Sequence, residues 1–274
     1  MEQEERLEYL VGELCKDSIQ YKNLKVNAED RREVMRALMN IRSPKAISNE
    51  FLEVQDSFLQ EEAIDKGIVN LKDIETISEK YNSKVKFANK ISIWQGDITR
   101  LRLDAIVNAA NSQMLGCFIP CHKCIDNAIH SFAGIQLRNE CNEYMERKRK
   151  NNPYYEEPVG KAVITSAYNL PCKYIVHTVG PIVRDKVSDS LKKDLQSCYK
   201  SILEKSLEKE IRSIAFCCIS TGEFHFPNYE AATIAINTIN EFLEDNYQKI
   251  DRIVFNVFKD YDFQIYKELL KCSK

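Results

Sequence analysis

The chain has 274 residues, a formal net charge of −2 and ten cysteines. That length buries a substantial core without covalent staples, and the near-neutral balance lacks the broad positive field that general nucleic-acid binding requires, so any anion must be met by a local site. The cysteines are spread along a sizeable chain with no apolar leader segment, which reads as reduced thiols in a cytoplasmic compartment, and no apolar run approaches the ~20 residues of a membrane span.

Residues 1–84 contain only two glycines, and their apolar positions recur at helical spacing. The first stripe is Leu7, Leu10, Val11 and Leu14. Three more follow, at Val34 and Leu38, at Phe51, Val54 and Phe58, and at Leu71, Ile74, Ile77 and Tyr81. The pattern predicts a small helical extension over 1–84 that packs on the main domain, and none of its residues looks chemical. From Val85 onward short β-branched and aromatic runs alternate with longer helical segments, the order of a mixed α/β sheet over 85–274. Strands are predicted at 91–94, 105–108, 162–166, 174–179, 213–218 and 252–257. Between them, Leu191, Leu195, Cys198, Tyr199 and Ile202 mark one buried helix face, and Ala232, Ile236, Ile239 and Leu243 another. The basic run 147–152 before Pro153 reads as a solvated loop.

Ligands of such sheets bind beyond the carboxyl ends of the strands, so the residues after each strand are the candidates. After the first comes Gly96-Asp97-Ile98-Thr99, where Asp97 offers a carboxylate past the sheet edge or caps a turn. The next ends in Asn108-Ala109-Ala110-Asn111, small residues that leave room for close approach. Asn111 is suited either to orienting a hydroxyl or water or to forming a turn. The strand at 213–218 leads into Ile219-Ser220-Thr221-Gly222-Glu223-Phe224, whose hydroxyls, glycine and free N–H groups before a helix make a phosphate cradle.

The segment from Gly116 to His130 is more specific, because Cys117, Cys121, His122 and Cys124 fall within eight residues. Thiolate and neutral imidazole are zinc donors. Cys117, His122 and Cys124 are the expected ligands of one ion, since their spacing lets the loop fold back while Cys121, adjacent to His122, points elsewhere. Three protein ligands leave one coordination position open, the mark of a catalytic or substrate-binding zinc; a fourth from Cys121 would close it. His130 and His177 are expected to be satisfied core histidines.

In this order GDIT (96–99), DAIVNAAN (104–111), CIDNAIH (124–130), IVHTVGP (175–181) and ISTGEF (219–224) resemble the macrodomain family over about residues 85 to 274. The C-x4-H-x-C insertion is similar to that of the zinc-containing macrodomains of microbial protein-ADP-ribose hydrolases, which carry a helical N-terminal extension. The resemblance implies a three-layer α/β/α mixed sheet and an ADP-ribose site. In that site Asp97 accepts from the adenine amino group and Ile98 helps seat the base. Ile125, Asp126 and Asn127 on one side and Ser220, Thr221, Gly222, Glu223 and Phe224 on the other enclose the diphosphate and distal ribose. The implied reaction is removal of mono-ADP-ribose from protein side chains by water attack at the anomeric carbon, with Asp126 as general base and Asn111 positioning ribose or water. A non-catalytic ADP-ribose reader and a hydrolase of acylated ADP-ribose are the alternatives. Glu223 and His225 depart from the family's usual second loop, where an aliphatic residue and a glycine are commoner.

Overall fold

A computed structural model describes residues 1–272. Three helices open the chain, α1 (Gln3–Lys16), α2 (Arg31–Ile41) and α3 (Asn49–Asp65). Each turns its apolar stripe inward, so that Leu7, Leu10, Leu14, Met35, Leu38, Phe51 and Phe58 form a cluster of their own, which Ile135 of the main domain joins. Ser48 fixes where α3 begins, its side chain accepting the Phe51 N–H. Arg32 of α2 grips the Glu62 carboxylate of α3 with two parallel hydrogen bonds of 2.6 and 2.8 Å.

The fourth predicted stretch is shorter than its spacing suggests. After the two-residue strand β1 (Val69–Asn70), residues Leu71–Asp73 make one 3-10 turn, and the helix α4 covers only Ile77–Tyr81. Thr76 and Glu79 form a reciprocal cap at its start, and Asn82, in the left-handed conformation, ends it. Ile74, Ile77 and Tyr81 pack into the large core of the main domain rather than the cluster of α1 to α3.

The main domain continues through β2 (Ile91–Gln95), β3 (Leu101–Arg102), β4 (Ala105–Ala110), α5 (Ile125–Ala133), α6 (Ile135–Arg149), β5 (Ala162–Ser166) and β6 (Tyr174–Val179). It ends with α7 (Asp189–Glu208), β7 (Ser213–Phe216), α8 (Asn228–Asn246), β8 (Arg252–Val257) and α9 (Asp260–Leu269). Six strands make one sheet in the order β2-β8-β7-β4-β6-β5, while β1 and β3 pair separately. Every pairing in the large sheet is parallel except that of β5 with β6. Helices α7, α8 and α9 pack side by side on one face and α5 with α6 on the other, the expected three-layer α/β/α arrangement. Strands covered on both faces are mainly apolar, as Ile106, Val107, Ile175, Val176, Ile214, Ala215, Ile253 and Val254 are, all without solvent exposure.

β7 stops at Phe216, two residues short of the predicted end, because its pairing with β8 ends there and Cys217 and Cys218 already lead into the loop beyond. The parallel strands put the ends of β2, β4, β6, β7 and β8 on one rim, which gathers all the singled-out segments. No helix among the described residues is long and apolar enough to cross a membrane.

Candidate active site

At the rim end of β4 the chain turns through Asn111 into the cysteine loop and re-enters as α5. Cys124 caps that helix, its sulfur accepting the Asn127 N–H at 3.4 Å. The first-turn N–H groups of Ile125 and Asp126 are left without a protein acceptor among the described residues, the usual condition of a helix N-terminus and one that suits an anion. Asp126 is only 5% exposed. Asn108 donates to its Oδ1 at 2.8 Å and Asn111 to its Oδ2 at 3.2 Å, so two amides orient one carboxylate. Burial pushes this carboxyl up to about 6, against the pull of the Asn108 amide, the Arg138 charge and the Asn111 amide.

Asn108 also donates to His177 Nδ1 at 3.1 Å, and His177 Nε2 lies 2.9 Å from Thr165 Oγ1. With Nδ1 accepting, the ring proton sits on Nε2 and is given to Thr165. Burial drives the His177 pKa down to about 3, so the ring is neutral. His177 is the satisfied core histidine the sequence suggests. His130 departs from that expectation: it is buried, yet neither ring nitrogen has a hydrogen-bond partner. It instead fills space behind the loop, where a Cβ on Gly116 would stand 2.7 Å from the His130 ring and where Gly116 takes a φ of +77°.

The donor atoms of Cys117, His122 and Cys124 lie within 4.8 Å of one another. His122 presents Nδ1 to the Cys117 sulfur at 3.6 Å and Nε2 to the Glu223 carboxylate at 3.8 Å. Cys121 does turn away, its sulfur resting 3.5 Å from the Glu33 carbonyl on α2. The Cys124 thiol is pushed up to about 12, first by burial and then by neighbouring negative charge, Cys117 foremost. Two thiols and an imidazole brought this close suit a metal ligand set.

On the facing loop, Ser220 is buried with a φ of +65° and its hydroxyl has no partner. The N–H groups of Gly222, Glu223 and Phe224 donate to nothing among the described residues. Thr221 bonds back to the Cys218 carbonyl at 3.0 Å, and Phe224, half-buried, accepts the Val183 N–H at 2.9 Å. Glu223 is exposed. Across the rim, Asp97 caps the turn after β2: its Oδ1 accepts from the Thr99 N–H and hydroxyl at 3.0 and 2.7 Å, leaving Oδ2 without a protein donor among the described residues. Ile98 beside it is buried.

Asn127 does not face the cleft as expected. Its amide is consumed by protein, with Oδ1 accepting from Arg36 and Nδ2 donating to the Ile119 carbonyl, and the residue has no exposure. Three residues escaped the sequence reading. Asn108 was signalled by its type, a polar residue in the middle of an apolar strand that needs partners when buried. Phe258, 74% exposed where β8 ends beside Gln95 and Gly96, falls one residue past the predicted strand and carries no motif that singles it out. Arg36 gives no local signal, because its partners lie far along the chain.

The chain is similar to known proteins over most of its length. The Macro domain family model matches residues 107–235. The "Protein-ADP-ribose hydrolase" of Treponema medium is 43% identical over 272 residues, 98% of this chain and 100% of that protein. The human "ADP-ribose glycohydrolase MACROD2" is 46% identical over 196 residues, 72% of this chain and 43% of that protein. The Trypanosoma brucei macrodomain, solved in complex with ADP-ribose, superposes with a TM-score of 0.64 at 27% identity, over 85% of this chain and 94% of that one. With the sheet order, the rim segments and a relative matched from end to end all in agreement, the chain belongs to the Macro domain family.

Proposed function

We propose that the protein is a hydrolase that removes mono-ADP-ribose from modified protein side chains, through water attack at the anomeric carbon of the distal ribose. One observation carries the reading: a buried carboxylate, held by two amides at the strand ends, stands beside a Cys-His-Cys donor set between two loops whose N–H groups are free. The names of the relatives, a protein-ADP-ribose hydrolase and an ADP-ribose glycohydrolase, support it.

In this reading Asp97 Oδ2 accepts from the adenine amino group, Ile98 helps seat the base, and the exposed Phe258 ring offers it a flat face. The free N–H groups of Ile125 and Asp126 and of Gly222, Glu223 and Phe224 supply donors from both sides for the diphosphate. Asn111 orients the distal ribose or the water. Asp126 takes the proton of the attacking water as the bond from the anomeric carbon to the protein side chain breaks, so that free ADP-ribose and the unmodified side chain are released.

Zinc is the expected cofactor, with Cys117, His122 and Cys124 as its ligands. The donor set fits: two thiols and an imidazole ring nitrogen converge, and soft sulfur with imidazole matches this ion. Held by these residues, zinc would supply a Lewis acid.

The test is release of ADP-ribose from a mono-ADP-ribosylated protein, with elemental zinc measured on the same preparation, for the wild type, Cys117→Ala and Asp126→Ala. Near-stoichiometric zinc and release, both lost in Cys117→Ala, with release alone lost in Asp126→Ala, is the expected result. Tight ADP-ribose binding without release from any substrate would falsify the hydrolase and leave a reader. Release only from acylated ADP-ribose would move the activity to that ester.

A further inference from the structure

The helical extension was expected to do no more than pack, yet α2 reaches directly into the cysteine loop. The Arg36 guanidinium donates to Asn127 Oδ1 through both Nε (3.2 Å) and Nη2 (2.8 Å), and Nη2 also meets the His122 carbonyl at 3.1 Å. Asn40, 1% exposed, accepts the Cys121 N–H on its Oδ1 at 2.9 Å and donates to Ser131 Oγ at 2.9 Å. Ser131 in turn donates to the Asn127 carbonyl at 2.7 Å. Asn127 is therefore a hub, because its own N–H is the one that meets the Cys124 sulfur.

These contacts are not spread evenly over the interface. They fall on the backbone immediately before and after the His122 side chain, and on the residue bonded to Cys124. Cys121, whose amide Asn40 holds, has a φ of +51°, a conformation that a non-glycine residue keeps only where its surroundings impose it. Attachment of the helices to the main domain has other means. Ile135 enters their apolar cluster, and Arg138 of α6 caps the end of α2 through the carbonyls of Met39, Asn40 and Arg42 at 2.8, 2.8 and 2.6 Å.

We propose that α2 is part of the metal loop: Arg36 and Asn40 are positioning residues that hold the backbone of Cys121 and His122 so that Cys117, His122 and Cys124 converge before any ion arrives, and the helical extension thereby sets how tightly the ion is kept. The proposal rests on the zinc reading of the loop. A preset ligand set binds without first ordering the chain, and losing the partner that orients a ligand residue weakens metal affinity about 10- to 100-fold.

The experiment is zinc affinity of the full-length protein by competition with a chromophoric chelator, in wild type, Arg36→Ala, Arg36→Lys, Asn40→Ala and a Cys117→Ala control, with thermal melting of each metal-free form. Arg36→Ala and Asn40→Ala should each bind zinc about 10- to 100-fold more weakly; the metal-free melting temperature stays near that of the wild type in Arg36→Ala, where water reaches the half-buried site, and falls in Asn40→Ala, which leaves buried polar atoms unpaired. Arg36→Lys should recover part of the loss, since an ammonium reaches one acceptor but does not bridge both. Arg36→Gln replaces the alanine variant should that fail to fold. Wild-type affinity in the Arg36 and Asn40 variants overturns the proposal. So does a loss in Arg36→Ala that follows the metal-free melting temperature and is not relieved by lysine, which would mark a merely structural role. If wild type and Cys117→Ala bind zinc equally poorly, the zinc reading itself has failed, and the proposal goes with it.

Discussion

Asp126 and Asn108 carry distinct burdens despite their direct contact. Removing the carboxylate leaves the donor set of the cysteine loop intact, so Asp126→Ala should lower kcat by about 10²- to 10⁴-fold, the range for a general base, with zinc content unchanged; an active Asp126→Ala enzyme would end that assignment. Asn108 lies deeper, and its loss strips a donor from both Asp126 Oδ1 and His177 Nδ1. Asn108→Ala should therefore destabilise the fold by about 1–3 kcal/mol, the range for leaving buried polar atoms unpaired, as read from urea unfolding. Its kcat should fall more than its KM rises. The sequence singled out Asn111, Asp126 and the three loop donors, which the structure brings close together, because short stretches of chain hold them. It hid the inward turn of Asn127, whose amide is taken up by Arg36 across a separation of 91 residues.

The loop after β7 is shaped by what lies behind it. A Cβ on Gly180, just past the end of β6, would sit 2.1 Å from Ser220 Oγ and 3.0 Å from Ile219 Cγ2. Ser220 is already buried in a left-handed conformation and has little freedom to retreat. Gly180→Ala should push this loop off its seat and weaken ADP-ribose binding about 10-fold or more, since overpacking a tight contact costs about 1–3 kcal/mol. Calorimetric titration with ADP-ribose checks it, and pairing the change with Ser220→Gly should restore most of the affinity. Undiminished binding in the single variant would show that the loop is not seated by this contact. At this scale the helices of the extension and most strands were legible from apolar spacing. α4 was overcounted because its stripe runs on through a 3-10 turn and an extended residue whose apolar side chains, Leu71 and Ile74, also face the core.

For the whole molecule, His177 ties stability to acid. Its folded pKa of about 3 lies below the ~6.5 of an exposed histidine. As pH falls the unfolded chain takes up the proton first, so the stabilisation is complete above about pH 6.5 and drains away as pH approaches 3. The protein should be about 2 kcal/mol less stable at pH 5 than at pH 8 from this residue alone. Urea midpoints at the two pH values check this, and the difference should shrink in His177→Gln; an unchanged difference would place the acid sensitivity elsewhere. The fold class was readable from the alternation of strand and helix patterns, whereas the order of the strands was not, because nothing local says that the last strand lies next to the first of the large sheet. That neighbourhood affects how the protein is made. β8 inserts between β2 and β7, and Ser83, ahead of β2, donates to the Leu270 carbonyl at the far end of the chain. On a ribosome adding about 5–20 residues per second, β2 emerges well before β8 and stays unpaired on its β8 side until residues Arg252–Val257 have followed. The nascent chain thus carries an open, apolar strand edge through the synthesis of everything between β2 and β8, and the large sheet closes only once β8 has emerged.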